Sequence, residues 1–170
     1  GDISSHSHYT WNYSKTFILD VMKLANIHQD CQFVIKTKDI SNVRLYLNNS
    51  IIHDLYKNNN NITFIEKARN DYKKLINSSD LVISIGFTTP GFEALSLGKR
   101  IIYYSLIKNG GKAFNSLPHI IASDYIELKE LFLMSLKDKD IFYSSNKSRI
   151  ELLNFSQIKL LNTNYLTKFN

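Results

Sequence analysis

Apolar positions along the chain alternate between helical spacing and short unbroken runs. From Thr16 to Ile27 they recur at Phe17, Ile18, Val21, Met22, Leu24 and Ala25, the three-and-four spacing of a helix with one buried face; Ser14 is placed to cap it. Cys31–Lys36 is a short apolar run, predicted as a buried strand. Ser41–Lys57 returns to helical spacing, interrupted around Asn48-Asn49-Ser50. The tract Asn58–Asn61 signals a turn, and an Asn run of this kind also arises from an AT-rich coding sequence. Ile62–Ile65 is a further strand. Asn70 is placed to cap a helix holding Tyr72, Leu75 and Ile76. Asp80–Gly86 is the strongest strand in the sequence. Pro90–Leu97 reads as a short helix stopped by Gly98, and Arg100–Tyr104 as the next strand. His119–Ala122 is a weak strand, after which Ser123 is placed to cap a helix from Tyr125 to Leu136. Ile141–Phe169 reads as helix with breaks.

Short strands that are apolar throughout and separated by helices predict an α/β fold, a Rossmann-like three-layer αβα sandwich with a mostly parallel sheet of at least four strands. Its expected core includes Phe33, Val34, Ile35, Phe64, Leu81, Val82, Ile83, Ile85, Ile101 and Ile102. The strand such a fold needs before Ser14 is poor or missing, with Gly1-Asp-Ile-Ser4 placed as its last turn, and the first residue is Gly rather than Met; the expectation is a piece of a longer protein. Residues 1–155 are read as one Rossmann-like domain. Residues 156–170 form a C-terminal helix that either crosses to another half or packs on this domain's own sheet.

Composition narrows the partners. With 44% hydrophobic and 21% charged residues among 170, the chain has a globular rather than a disordered balance. The single cysteine, Cys31, excludes a disulfide scaffold and is expected buried and inert. No apolar run approaches the roughly 20 residues of a membrane span, and no basic-then-apolar leader is visible. The expected location is the cytoplasm, including the inner face of its membrane. The net charge of +6 favours phosphate-bearing partners. Between Ala94 and Asp124 the chain carries Lys99, Arg100, Lys108 and Lys112 and no acid before Asp124. There is no Arg-rich run and no aromatic-flanked basic signature, so nucleic acid is not an expected partner. His6-Ser7-His8 lacks acidic companions and reads as a loop or chain end, not a metal site. His28, His53 and His119 are isolated.

In an open parallel sheet, ligands bind beyond the carboxyl ends of the strands. Lys36-Thr37-Lys38 follows the first predicted strand, Glu66–Arg69 the second, Gly86–Glu93 the third, and Ser105 with the Lys108, Gly110, Gly111 and Lys112 loop the fourth. That edge suits an anion. Gly86 lets the chain leave its strand sharply. Thr88 or Thr89 caps the next helix, and Pro90 suits its first position. The amides at that helix start attract phosphate. Glu93, one turn in, is placed either to accept from two adjacent ribose hydroxyls or simply to complement the helix dipole.

The stretch Asp80-Leu-Val-Ile-Ser-Ile-Gly-Phe-Thr-Thr-Pro-Gly-Phe-Glu-Ala-Leu-Ser-Leu-Gly-Lys-Arg-Ile-Ile-Tyr-Tyr104 resembles the donor-binding signature of GT-B glycosyltransferases, with the flavour of bacterial surface-polysaccharide enzymes. Phe33–Lys38 is similar to the same families, although no Pro-His follows the lysine as in CDP-glycerol-type transferases. The resemblance implies one half of a GT-B architecture, the donor-binding half, in a transferase building a surface glycan. Glu93 would hold the ribose, Gly86, Thr88 and Thr89 would lie near the diphosphate, and Lys36 would neutralise it as it leaves. Lys38, Lys108 and Lys112 are further phosphate candidates. No cofactor or metal is implied, the nucleotide-sugar being the substrate; the partners would be that donor, a glycan or lipid-linked acceptor, and an N-terminal half. The catalytic base is not assigned. Alternatives are a sugar-nucleotide 2-epimerase-like domain and a nucleotide- or anion-binding module without catalytic activity.

Overall fold

The computed structural model of the chain describes residues 11–37, 40–65, 72–86, 88–106 and 120–137. Their order is α1 (Trp11–Ile27), β1 (Phe33–Lys36), α2 (Ile40–Leu47), α3 (Ser50–Asn58), β2 (Ile62–Ile65), α4 (Tyr72–Ser78), β3 (Leu81–Ile85), α5 (Thr89–Ser96), β4 (Arg100–Tyr104), β5 (Ile121–Ala122) and α6 (Tyr125–Lys137). Every strand pair among the described residues is parallel. The fold is α/β, with short parallel strands joined through helices as in a Rossmann-like αβα arrangement. The strands lie in two sheets, β1-β2 and β3-β4-β5. The chain divides into two compact units, Gly1–Lys74 and Leu75–Asn170. The expected helix over 156–170 lies outside the described residues.

In the first unit, α1 begins at Trp11, so Ser14 lies inside the helix and does not cap it. Tyr13 is buried, which draws the extra turn into the fold. α1 and α2 both pack on α3, whose start is capped by Asn49: its side chain accepts from the Ile52 amide at 3.3 Å. The pairing Phe33↔Ile62 to Lys36↔Ile65 sets β1 beside β2. Phe33, Ile35 and Ile62 are buried, but Val34 is 50% exposed and Thr63 is exposed, so Val34 leaves the expected core. The strand alternates instead of burying both faces. Cys31 is half-buried.

The Asn tract does structural work that its composition conceals. Asn61 is buried, and its amide donates to the carbonyls of Ala25, His28 and Cys31 at 2.9–3.0 Å. It thereby ties the last turn of α1, whose carbonyls have no helical partner, to the start of β2. Asn59, also buried, donates to Leu55 and accepts from Gln29 at 2.6 Å. Two of the four tract residues therefore satisfy buried polar groups, which an explanation from base composition alone would miss.

In the second unit β4 is the middle strand, and Ile101, Ile102, Tyr103 and Tyr104 are all fully buried. Neighbouring residues point to opposite faces, so both faces of β4 are covered. α5 packs on β3 and β4, and α6 on β4 and β5. β3, the strongest strand by sequence, pairs only with β4 among the described residues, and Leu81, Val82, Ile83 and Ile85 are half-buried. Phe64 is half-buried too. An edge position, not sequence pattern, decides this. α6 is capped by Asp124, whose carboxylate accepts from the Glu127 amide at 2.9 Å; Glu127 in turn accepts from the amide and hydroxyl of Ser123, both at 2.7 Å. The capping residue is thus one position later than the expected Ser123.

Candidate functional site

The site is the turn between β3 and α5, at the carboxyl edge of the second unit's sheet. β3 brings Ser84 in register with Tyr103 of β4 and Ile85 with Tyr104. Gly86 then takes φ = 53°, where a side chain would be strained, and its amide donates to the Tyr104 carbonyl at 2.7 Å. The chain turns at once: the Thr88 amide donates to the Gly86 carbonyl at 3.2 Å, and the Phe92 amide to the Thr88 carbonyl at 3.1 Å, which opens α5. Pro90 lies in its first turn, a position where its missing N–H costs no helical bond.

Thr88 is the N-terminal flanking residue of α5, with extended φ and ψ, yet its hydroxyl does not cap the helix. It is turned to Ser84, with the two oxygens 2.7 Å apart. Ser84 is itself buried and 3.4 Å from the Gly86 carbonyl. The hydroxyl that would ordinarily satisfy a first-turn amide is committed to the strand instead. Thr89, the first helical residue, is exposed.

Gly91 explains how α5 reaches so close to the sheet. A β-carbon there would lie 2.7 Å from Cε1 of Tyr103 and 2.8 Å from Oγ of Ser84. Gly91, Ala94 and Leu95 face inward and are buried. Thr89 and Glu93, four residues apart, share another face, on which Thr89 is exposed and Glu93 half-buried. The rings of Phe92 and Tyr103 lie 6.0 Å apart. Burial pushes the Tyr103 phenol well above the usual tyrosine range, so it stays protonated.

The structure brings Gly86, Thr88, Thr89 and Glu93 together on one turn. Lys36 ends β1 in the first unit, and its ammonium donates to the Thr37 carbonyl at 2.6 Å. Lys38, Lys108 and Lys112 lie outside the described residues. The other two cations of the acid-poor stretch are used structurally. Lys99 donates to the carbonyls of Asn77, in the last turn of α4, and of Ser79, just beyond its end, at 2.6 and 3.2 Å. Arg100 donates to Asp80 at 3.1 Å and to Ser135, in the last turn of α6. Sequence reasoning missed Ser84 and Gly91. The available signals were a lone hydroxyl inside an apolar strand and a glycine in the first turn of a helix.

The family model for polysaccharide biosynthesis PFTS motif proteins matches residues 3–132, more than half of the chain and the whole of the β3–α5–β4 region. The chain belongs to that family. Searches of the curated proteins and of solved structures returned no match. Among the described residues of this polysaccharide-biosynthesis protein, no helix is long and apolar enough to cross a membrane.

Proposed function

We propose that this PFTS motif protein is the nucleotide-sugar-binding part of a glycosyltransferase that extends a bacterial surface polysaccharide, acting in the cytoplasm or at the inner face of the membrane. The observation that carries the reading is the β3–α5 turn: a helix start at the carboxyl edge of parallel strands, with its flanking hydroxyl turned away from the helix amides and a carboxylate one turn in. Such a helix start favours a diphosphate. Gly86 and Thr88 shape the turn, Thr89 offers an exposed hydroxyl to the diphosphate, and Glu93 accepts from the ribose hydroxyls.

Family membership supplies the glycan context. Read as one-letter code, PFTS is Pro-Phe-Thr-Ser. Phe-Thr occurs once in this chain, at Phe87-Thr88, followed by a second hydroxyl residue, Thr89. This correspondence supports placing the family's named motif at the β3–α5 turn. The GT-B architecture, the acceptor and the second half belong to the same proposal, the acceptor being a growing or lipid-linked glycan.

Calorimetric titration of the full-length protein with UDP, GDP and CDP, alone and as sugar nucleotides, tests the reading. Saturable binding of at least one diphosphate, weakened by Glu93→Ala, supports it. Absence of binding by all three contradicts it.

A further inference from the structure

The first unit carries an aromatic arrangement that the donor site does not use. Trp11, the only tryptophan in the chain, opens α1 and stacks on Tyr46 of α2, with ring centroids 4.9 Å apart and planes inclined by 17°. The two rings differ in setting. Tyr46 is 7% exposed and Trp11 43% exposed. Tyr46 is held from behind: burial raises its phenol above the usual tyrosine range, opposed by a hydrogen bond from Ser14, one turn along α1 from Trp11. One indole face therefore rests on a fixed ring while much of the side chain stays in contact with solvent. Lys15, half-buried and four residues on, shares the face of α1 that carries Trp11.

Exposed indole is costly in water, because a large apolar face is left unburied. A ring of this kind matches a pyranose, whose axial C–H groups form an apolar face while its equatorial hydroxyls point outward to polar neighbours. Because the chain belongs to a polysaccharide-biosynthesis family, a glycan is the ligand of matching chemistry. We propose that Trp11, backed by Tyr46, is a stacking platform for a sugar ring of the glycan chain, carried by residues other than those proposed to hold the donor. The inference rests on the glycan-building part of the proposed function and not on the nucleotide site.

The full-length protein is titrated with malto- and cello-hexaose, and with sorbitol as a polyol lacking a pyranose ring, while tryptophan emission is followed in the parent and in Trp11→Phe, the difference reporting on Trp11; calorimetry provides a readout independent of the indole. The expected result is a saturable emission change with at least one hexaose and none with sorbitol. Trp11→Ala loses at least about tenfold in affinity, as expected for removal of one stacked aromatic contact; Trp11→Phe, which keeps a ring on Tyr46, retains an intermediate affinity and melts as the parent does. No saturable response to either hexaose overturns the platform, as does undiminished binding by Trp11→Ala. Diphosphate titration of the same preparations separates the two proposals: hexaose binding without nucleotide binding sinks only the donor reading, and the reverse sinks only the platform.

Discussion

The two edges of the β3–β4–β5 sheet use their polar residues in opposite ways. At the amino edge, Lys99 and Arg100 spend their charge on the carbonyls of Asn77, Ser79, Asp80 and Ser135. Helix ends leave such carbonyls without partners, and a cation there satisfies both the hydrogen bonds and the negative end of the helix dipole. At the carboxyl edge, the Thr88 hydroxyl is turned from its helix to Ser84, and Thr89 and Glu93 remain at least partly accessible. Positive charge in this chain therefore does not by itself mark the ligand edge. Among the described residues, the edge that is fastened down carries the cations Lys99 and Arg100, and the candidate ligand edge carries hydroxyls, a tight glycine turn and a carboxylate.

If this contrast is right, substitutions at the two edges separate stability from binding. The largest effect is expected at Gly91, where a side chain enters space held by Tyr103 and Ser84. Gly91→Val should destabilise the protein by about 3 kcal/mol, through overpacking against a strand buried on both faces, and displace the turn; chemical denaturation measures it. A melting curve unchanged from the parent would mean α5 does not press on the sheet as described. Next is Glu93→Ala, which should weaken every ribose-bearing ligand by roughly ten- to a hundredfold, the loss of about 1.5–3 kcal/mol from a charged acceptor. Its stability should stay within about 0.5 kcal/mol of the parent.

A smaller effect concerns pH. Tyr103 ionises less readily folded than unfolded, so its contribution to stability is complete below about pH 10 and is lost as pH rises beyond that. Urea titrations above pH 10 should show stability falling by up to about 1.4 kcal/mol per pH unit on its account, and Tyr103→Phe should flatten the decline. The smallest change is expected at the fastened edge. Arg100→Ala should cost about 1 kcal/mol, since its carbonyl partners fall back on water, and leave diphosphate affinity untouched. A large loss of affinity with unchanged stability would reverse the assignment of the two edges.

The β3–α5–β4 region was legible because its punctuation is local. Gly86, Pro90 and Gly98 delimit a strand and a helix whose observed bounds differ from the expected ones by about a residue, and Gly98 follows the helix with φ = 68°. Parallel pairing was legible from strands without polar alternation. What depends on distant chain segments was not. Asn61 looks like turn filler until the carbonyls of Ala25, in the last turn of α1, and of His28 and Cys31, just after it, 30 to 36 residues away, are placed around it. Val34 reads as core because nothing in Phe-Val-Ile reveals that one face of β1 is open. Lys99 and Arg100 count toward an acid-poor stretch that favours phosphate, because their carbonyl partners lie 20 to 35 residues away in sequence. Ser84 was hidden for the same reason as Gly91: each makes sense only once strand and helix are packed together.

The central claim is that the carboxyl edge, at the β3–α5 turn, receives the diphosphate. Amide chemical-shift mapping of the full-length protein titrated with UDP, GDP and CDP tests it residue by residue. The largest saturable shifts are predicted for Gly86, Thr88, Thr89, Gly91 and Glu93 with at least one diphosphate, while Lys99 and Arg100 stay still. Shifts concentrated at Lys99 and Arg100, or none at the β3–α5 turn with any of the three, would contradict it.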